Sequence, residues 1–247
     1  MTIIRSASAS TEPNIGEVFN QHDMSSTKKT EDTTCTRIDQ LLQRNPNLWR
    51  GCNMTDQGFQ GLSTGFPELD DILPGQGWPQ SGLVEIISRH WGMGELQLLI
   101  PLMRSIAKQG QWILWIAPPY IPYAPALIQA GIDIHQVLVI KQDTSCKDAL
   151  WSMEKALKAK DCGMVLTWQN WLPGKVLRRL QLAAEAGETL GIFFKRKDSK
   201  YSQLPLRLQI KDSDSKNHQF SAAEITVIKA RGNFRPLTTQ LDLYSQK

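Results

Sequence analysis

Apolar and polar residues change their spacing several times along this chain. Between residues 83 and 195, short runs in which nearly every residue is apolar alternate with longer stretches in which apolar residues recur every three or four positions. The short runs, 83–87, 112–118, 137–141, 163–168 and 190–195, predict strands. The stretches between them predict helices over 96–108, about 123–130, over 147–160 and over 175–188. In the third of these, Ala149, Leu150, Met153 and Leu157 fall on one side. Strands that are apolar throughout are buried on both faces, and their alternation with helices implies a parallel sheet with right-handed crossovers. After residue 203 the spacing drops to two. Leu206, Leu208 and Ile210, then Ile225 and Val227, line single faces, as antiparallel strands with one solvated side would, and 237–243 can add one more strand.

The N-terminal part follows neither pattern. Residues 1–34 are rich in Ser, Thr, Asp, Glu and Lys and are too poor in large apolar groups to offset chain entropy, so they read as disordered. Residues 35–61 read as an arm: Ile38, Leu41 and Leu42 fall at helical spacing, and Trp49 is an apolar anchor before Gly51. In 62–82, Thr64 precedes a short helical stretch in which Phe66, Leu69, Ile72 and Leu73 share a face, and Pro74-Gly75 ends it. The expected organisation is therefore a disordered extension (1–34), an arm (35–61), an α/β core (62–203) and a β-rich basic extension (204–247).

The junction of the first strand and first crossover helix reads EIISRHWGMGELQLLI, residues 85–100. A phosphate-binding loop of the form G-x-x-x-x-G-K-[ST] belongs at this position, and Gly92 and Gly94 supply its glycines. The slots for the lysine and the hydroxyl hold Glu95 and Leu96. At ~4 Å and an effective dielectric of ~20, exchanging a cation for an anion beside phosphate turns ~4 kcal/mol of attraction into repulsion. Arg89 and His90 lie on the wrong side of the turn to offset it. The strand 163–168 ends without a carboxylate for a metal, and 112–118 runs into Ala117-Pro118-Pro119 with no activating glutamate. Four missing groups together describe a nucleotide fold without its reaction, and no cofactor is expected.

No other catalytic constellation replaces it. The chain has no G-x-S-x-G, H-E-x-x-H or H-x-E…P-C-x-x-C pattern, and its four histidines sit in separate segments without a partner base. Asp70 and Asp71 are adjacent on a helix and point apart. Most of the eight tryptophans read as packing residues, while Trp91 at the loop tip is a candidate contact residue.

Composition narrows the class. At 41% hydrophobic and 21% charged, the chain is an ordinary globular protein. It holds no apolar run of the ~20 residues a membrane span needs, and the cytoplasm is the expected compartment. Cys35, Cys52, Cys146 and Cys162 form no C-x-x-C pair, so reduced thiols are expected rather than a zinc or redox site. Residues 191–247 carry 11 Lys and Arg against 5 Asp and Glu, whereas the rest is balanced. Within that excess, Lys229, Arg231 and Arg235 beside Phe234 form a stretch suited to an acidic partner or to single-stranded DNA by charge and stacking. A solvated strand end is the plainer reading of the same residues.

Several ordered blocks carry a family likeness. LSTGFPELDDILPGQGWPQSGLVEIISRHWGMGELQLLIPLM, WIAPPYIPYAPALIQAGID, KDALWSMEKALKAKDCGMVLTW and LRRLQLAAEAGETLGIFF resemble successive segments of the ImuA family, over roughly residues 45–243. SulA, a division inhibitor of the same superfamily, shares the later blocks more loosely. The resemblance implies a RecA-like P-loop NTPase core. It also implies a non-catalytic role in an SOS-induced translesion complex, or mutasome, with partners ImuB (an inactive Y-family polymerase relative), an error-prone C-family polymerase and RecA. By analogy with RecA protomers, Leu41, Leu42 and Trp49 of the arm are candidate docking residues. Two other readings stay open: a SulA-like inhibitor that binds the division GTPase FtsZ, and an ATP-dependent recombination enzyme, against which Glu95 and Leu96 weigh.

Overall fold

The computed structural model describes residues 60–169, 172–198, 202–212, 222–231 and 235–243, together with Gln40 and Arg44, which are helical and exposed. From Gln60 onward these residues belong to the second of the chain's two compact units, Arg50–Lys247. Leu41, Leu42, Trp49 and Phe234, and the expectation of disorder over 1–34, lie outside the described residues.

The unit is built on one eight-stranded sheet. Its strands are β1 (Gly82–Ser88), β2 (Trp112–Ile116), β3 (Val137–Ile140), β4 (Cys162–Thr167), β5 (Leu190–Lys195), β6 (Leu206–Asp212), β7 (Ala222–Lys229) and β8 (Leu237–Asp242). The helices are α1 (Pro67–Asp70), α2 (Ile100–Lys108), α3 (Ala124–Gln129), α4 (Cys146–Lys158) and α5 (Gly174–Gly187). The strand order is β3-β2-β4-β5-β1-β6-β7-β8. Every pairing from β3 across to β6 is parallel, and β6–β7 and β7–β8 are antiparallel. The alternation of apolar runs and amphipathic helices thus gives the doubly covered α/β sheet expected of it. One detail differs: β6 was expected to be antiparallel, but it pairs parallel with β1 over Val84–Ser88. Its period-two spacing records a face that differs from the other, not the direction of its neighbour.

Both faces of the sheet are filled. Val84, Ile86, Ile192, Phe194 and Leu208 meet α2 through Leu102, Met103 and Ile106, with Trp78 and Leu69 completing that layer. Trp168 stacks on Phe194 at 4.7 Å between ring centroids, a contact that adds to the burial of both rings. On the other face Leu83, Val165 and Phe193 meet Met153 and Leu157 of α4 and Leu180 and Ala184 of α5. Here the two helices approach closely. A Cβ built on Gly187 would fall 2.1 Å from the carbonyl oxygen of Leu157, so only glycine fits.

The helix after the phosphate-type loop begins later than its apolar spacing predicts. Gln97–Leu99 form a 3-10 turn, and the α-helix starts at Ile100, where Pro101 suits the first turn.

Candidate functional site

The loop between β1 and α2 is shut by its own residues. The Gly92 backbone N–H donates to Oε1 of Glu95 at 2.7 Å, and Glu95 is 4% exposed. A phosphate loop offers such amides to its ligand. Here an internal carboxylate takes one. Gly94 has φ +97, and a Cβ added there would lie 2.4 Å from Cδ1 of Leu243, which packs on the loop from the C-terminal end. Leu96 is partly buried against the core and brings no hydroxyl. These residues do not fit a nucleotide. Trp91, the candidate contact residue at the loop tip, is partly buried and packs against the core.

Sequence reasoning passed over a second buried carboxylate. Glu85 sits in the middle of β1 with no exposure, on the face of Leu83, directly between Phe193 of β5 and Arg207 of β6. Its Oε1 lies 2.5 Å from Nζ of Lys195, and Arg207 Nε donates to its Oε2. Arg207 also reaches the exposed Asp198 through its second amino group. Burial works to lower the Arg207 pKa, but hydrogen bonds to Glu85 and Asp198 outweigh it and hold the guanidinium above its ordinary value. The sequence signal was a lone glutamate in the apolar run LVEII; its cations stand more than a hundred positions away.

Of the expected C-terminal contact residues, Lys229, Arg231 and Arg235 are exposed. Lys229 donates to the Ser202 carbonyl at 3.3 Å.

The surface feature that stands out lies at the β3 margin of the sheet. Six of the ten exposed large apolar side chains among the described residues fall between positions 120 and 139: Tyr120, Ile121, Tyr123, Ile128, Leu138 and Val139. Ile121 is 95% exposed, and Tyr120 and Tyr123 exceed 70%. The segment runs from the end of β2 through α3, which has no buried residue, to the outermost strand β3. Helix α3 is held by few groups: Leu127 and Ala130 touch the core, and Arg104 Nε donates to the Ala130 carbonyl at 2.8 Å. Soluble surfaces seldom gather apolar groups in this way without a partner, and tyrosines favour protein interfaces. In the sequence, 117–130 gave only a Pro-rich turn and a short helix. The missed signal was Tyr120, Ile121 and Tyr123 between prolines, apolar but with no period to bury them.

Comparison with known proteins separates the open readings. The family model described as cell division inhibitor SulA matches residues 83–191. The chain is 31% identical over 123 residues to a cell division inhibitor SulA of Edwardsiella piscicida, covering 49% of this chain and 73% of that protein. The chain belongs to the SulA family. A SulA of Photorhabdus laumondii is 30% identical over 102 residues, with 41% of this chain and 57% of that relative matched. Among solved structures, an ATPase domain aligns over 89% of this chain and 96% of its own, with a TM-score of 0.51 at 12% identity. That likeness carries the fold: a RecA-like α/β core.

These matches overturn the expected role as a mutasome accessory protein. The relatives carry the name of a division inhibitor, and what the matches establish is membership of the SulA family. The exposed margin of residues 120–139 lies wholly inside the stretch that the SulA model matches. No helix of the described residues is long and apolar enough to cross a membrane.

Proposed function

We propose that this chain is a non-enzymatic inhibitor of cell division, induced with the SOS response, that acts by binding the division GTPase FtsZ and blocking septum formation. The observation that carries this reading is the concentration of exposed Tyr120, Ile121, Tyr123, Ile128, Leu138 and Val139 at one sheet margin, within the stretch shared with the SulA relatives. The margin supplies apolar area for a partner, and the loop closed by Glu95 favours contact over catalysis. The cytoplasm is the compartment in which such a partner would be met. Assignment to the ImuA branch of the superfamily is a finer reading, supported only by the ImuA-like approach at 62–79, and it brings no mutasome role with it.

The test is expression in dividing bacteria together with sedimentation of purified FtsZ polymers. The wild-type chain should produce filamentous cells and lower the polymer yield, and Ile121→Asp combined with Tyr123→Ser should do neither while melting at the wild-type temperature. Unchanged division and polymer yield with excess wild-type chain would remove the reading.

A further inference from the structure

A second surface lies away from the β3 margin, at the carboxyl ends of β1 and β5, and it does not rest on the division reading. A groove of about 870 Å³ opens there. Its floor is Ile87, which pairs in register with Lys195 on one side and Gln209 on the other. Arg89 and His90, which follow β1, and Arg196 and Lys197, which follow β5, form its walls. The groove opens at the carboxyl ends of parallel strands, the end of an open α/β sheet where ligands gather.

The charge of the groove is set from beneath. Lys195 and Arg207 are committed to Glu85, and Arg207 also holds Asp198, the one carboxylate lining the groove among the described residues. Among the described residues, Arg89, Arg196 and Lys197 make no ion pair; Arg196 Nε donates to the Arg89 carbonyl at 3.5 Å. The result is a concave surface whose nearby acid is already neutralised and whose cations face solvent.

We propose that this groove binds an acidic peptide segment of a protein partner. Arginine forks match carboxylates in paired hydrogen bonds, and Gln209 can serve a peptide backbone over the apolar floor of Ile87. A single-stranded nucleic acid would bring phosphates, but the surfaces that hold it add aromatic platforms for the bases, and among the described residues the His90 ring is the one such group in this lining.

Fluorescence anisotropy of the full chain with a labelled hexaglutamate peptide, and separately with a labelled oligo(dT), tests this. The peptide should bind, and the affinity should fall as salt rises from about 50 to about 200 mM. Arg89→Glu, Arg196→Glu and Lys197→Glu together should weaken it at least about tenfold. Reversal of Lys160, Lys175 and Arg178, exposed, outside the groove lining and equal in charge, should change it less than about twofold. Equal loss in both triple variants, or no loss in the first, would overturn the site. Tighter oligo(dT) binding lost in the same variant would overturn the peptide in favour of nucleic acid. Thermal melting of both variants excludes misfolding as the cause.

Discussion

The middle of the sheet and its β3 margin are made of similar residues put to opposite use. β1 reads GLVEIIS and is buried at all seven positions; β3 reads VLVI and is half exposed at Leu138 and Val139. The difference is coverage. β1 lies between β5 and β6 with helices on both faces, while β3 ends the sheet and is approached by a short helix with nothing buried. The middle even accommodates a buried acidic side chain, because Lys195 and Arg207 meet Glu85 there. Stability is therefore concentrated in the centre, and the margin is left available for a partner.

The largest effect should come from the centre. Glu85→Ala leaves Lys195 and Arg207 buried without their carboxylate, and urea denaturation should show a loss of about 3–5 kcal/mol. Met153→Ala, fully buried between α4 and the sheet, should cost about 2–4 kcal/mol in the same measurement. At the loop, Glu95→Ala removes the acceptor of the Gly92 N–H and should cost about 1 kcal/mol. ATP should leave the melting temperature of the wild-type chain unchanged. At the margin, Ile121→Asp with Tyr123→Ser should shift stability by less than about 0.5 kcal/mol while abolishing the proposed division block. A margin variant that melted like Met153→Ala would break the comparison, since those side chains would then be holding the fold.

The smallest effect concerns Cys162, which closes the α4–α5 face. Burial pushes its thiol up from 9.0 to about 11, against a weaker opposing hydrogen bond with Met164. A folded value above the unfolded one favours the neutral thiol. The contribution is whole below pH 9.0 and is lost as pH rises through about 11. Cys162→Ala should flatten the alkaline fall in melting temperature by about a degree or two.

The centre was legible in the sequence because full burial leaves a local trace. Runs such as LGIFFK and GMVLT can satisfy their side chains only inside a sheet, and the helices between them show one apolar stripe each. The margin was not legible, because VLVI has the composition of a buried strand, and only the strand order reveals that nothing lies beyond it. The parallel pairing of β6 was hidden for a related reason: alternation reports a face, not a direction. Glu85 stood out in its run, but Lys195 and Arg207 reach it only through register across three strands. In the loop, the loss of phosphate chemistry was visible as Glu95 and Leu96. That the carboxylate would turn inward onto Gly92 required the backbone.

An intact phosphate loop makes a protein a gauge of nucleotide supply, since its shape follows whichever ligand is present. A loop that carries its own carboxyl group in the ligand's place has no such reading to give. Its state is fixed when the chain folds, so the strength of its effect should follow the number of copies in the cell, and ending that effect would require removing the molecules themselves.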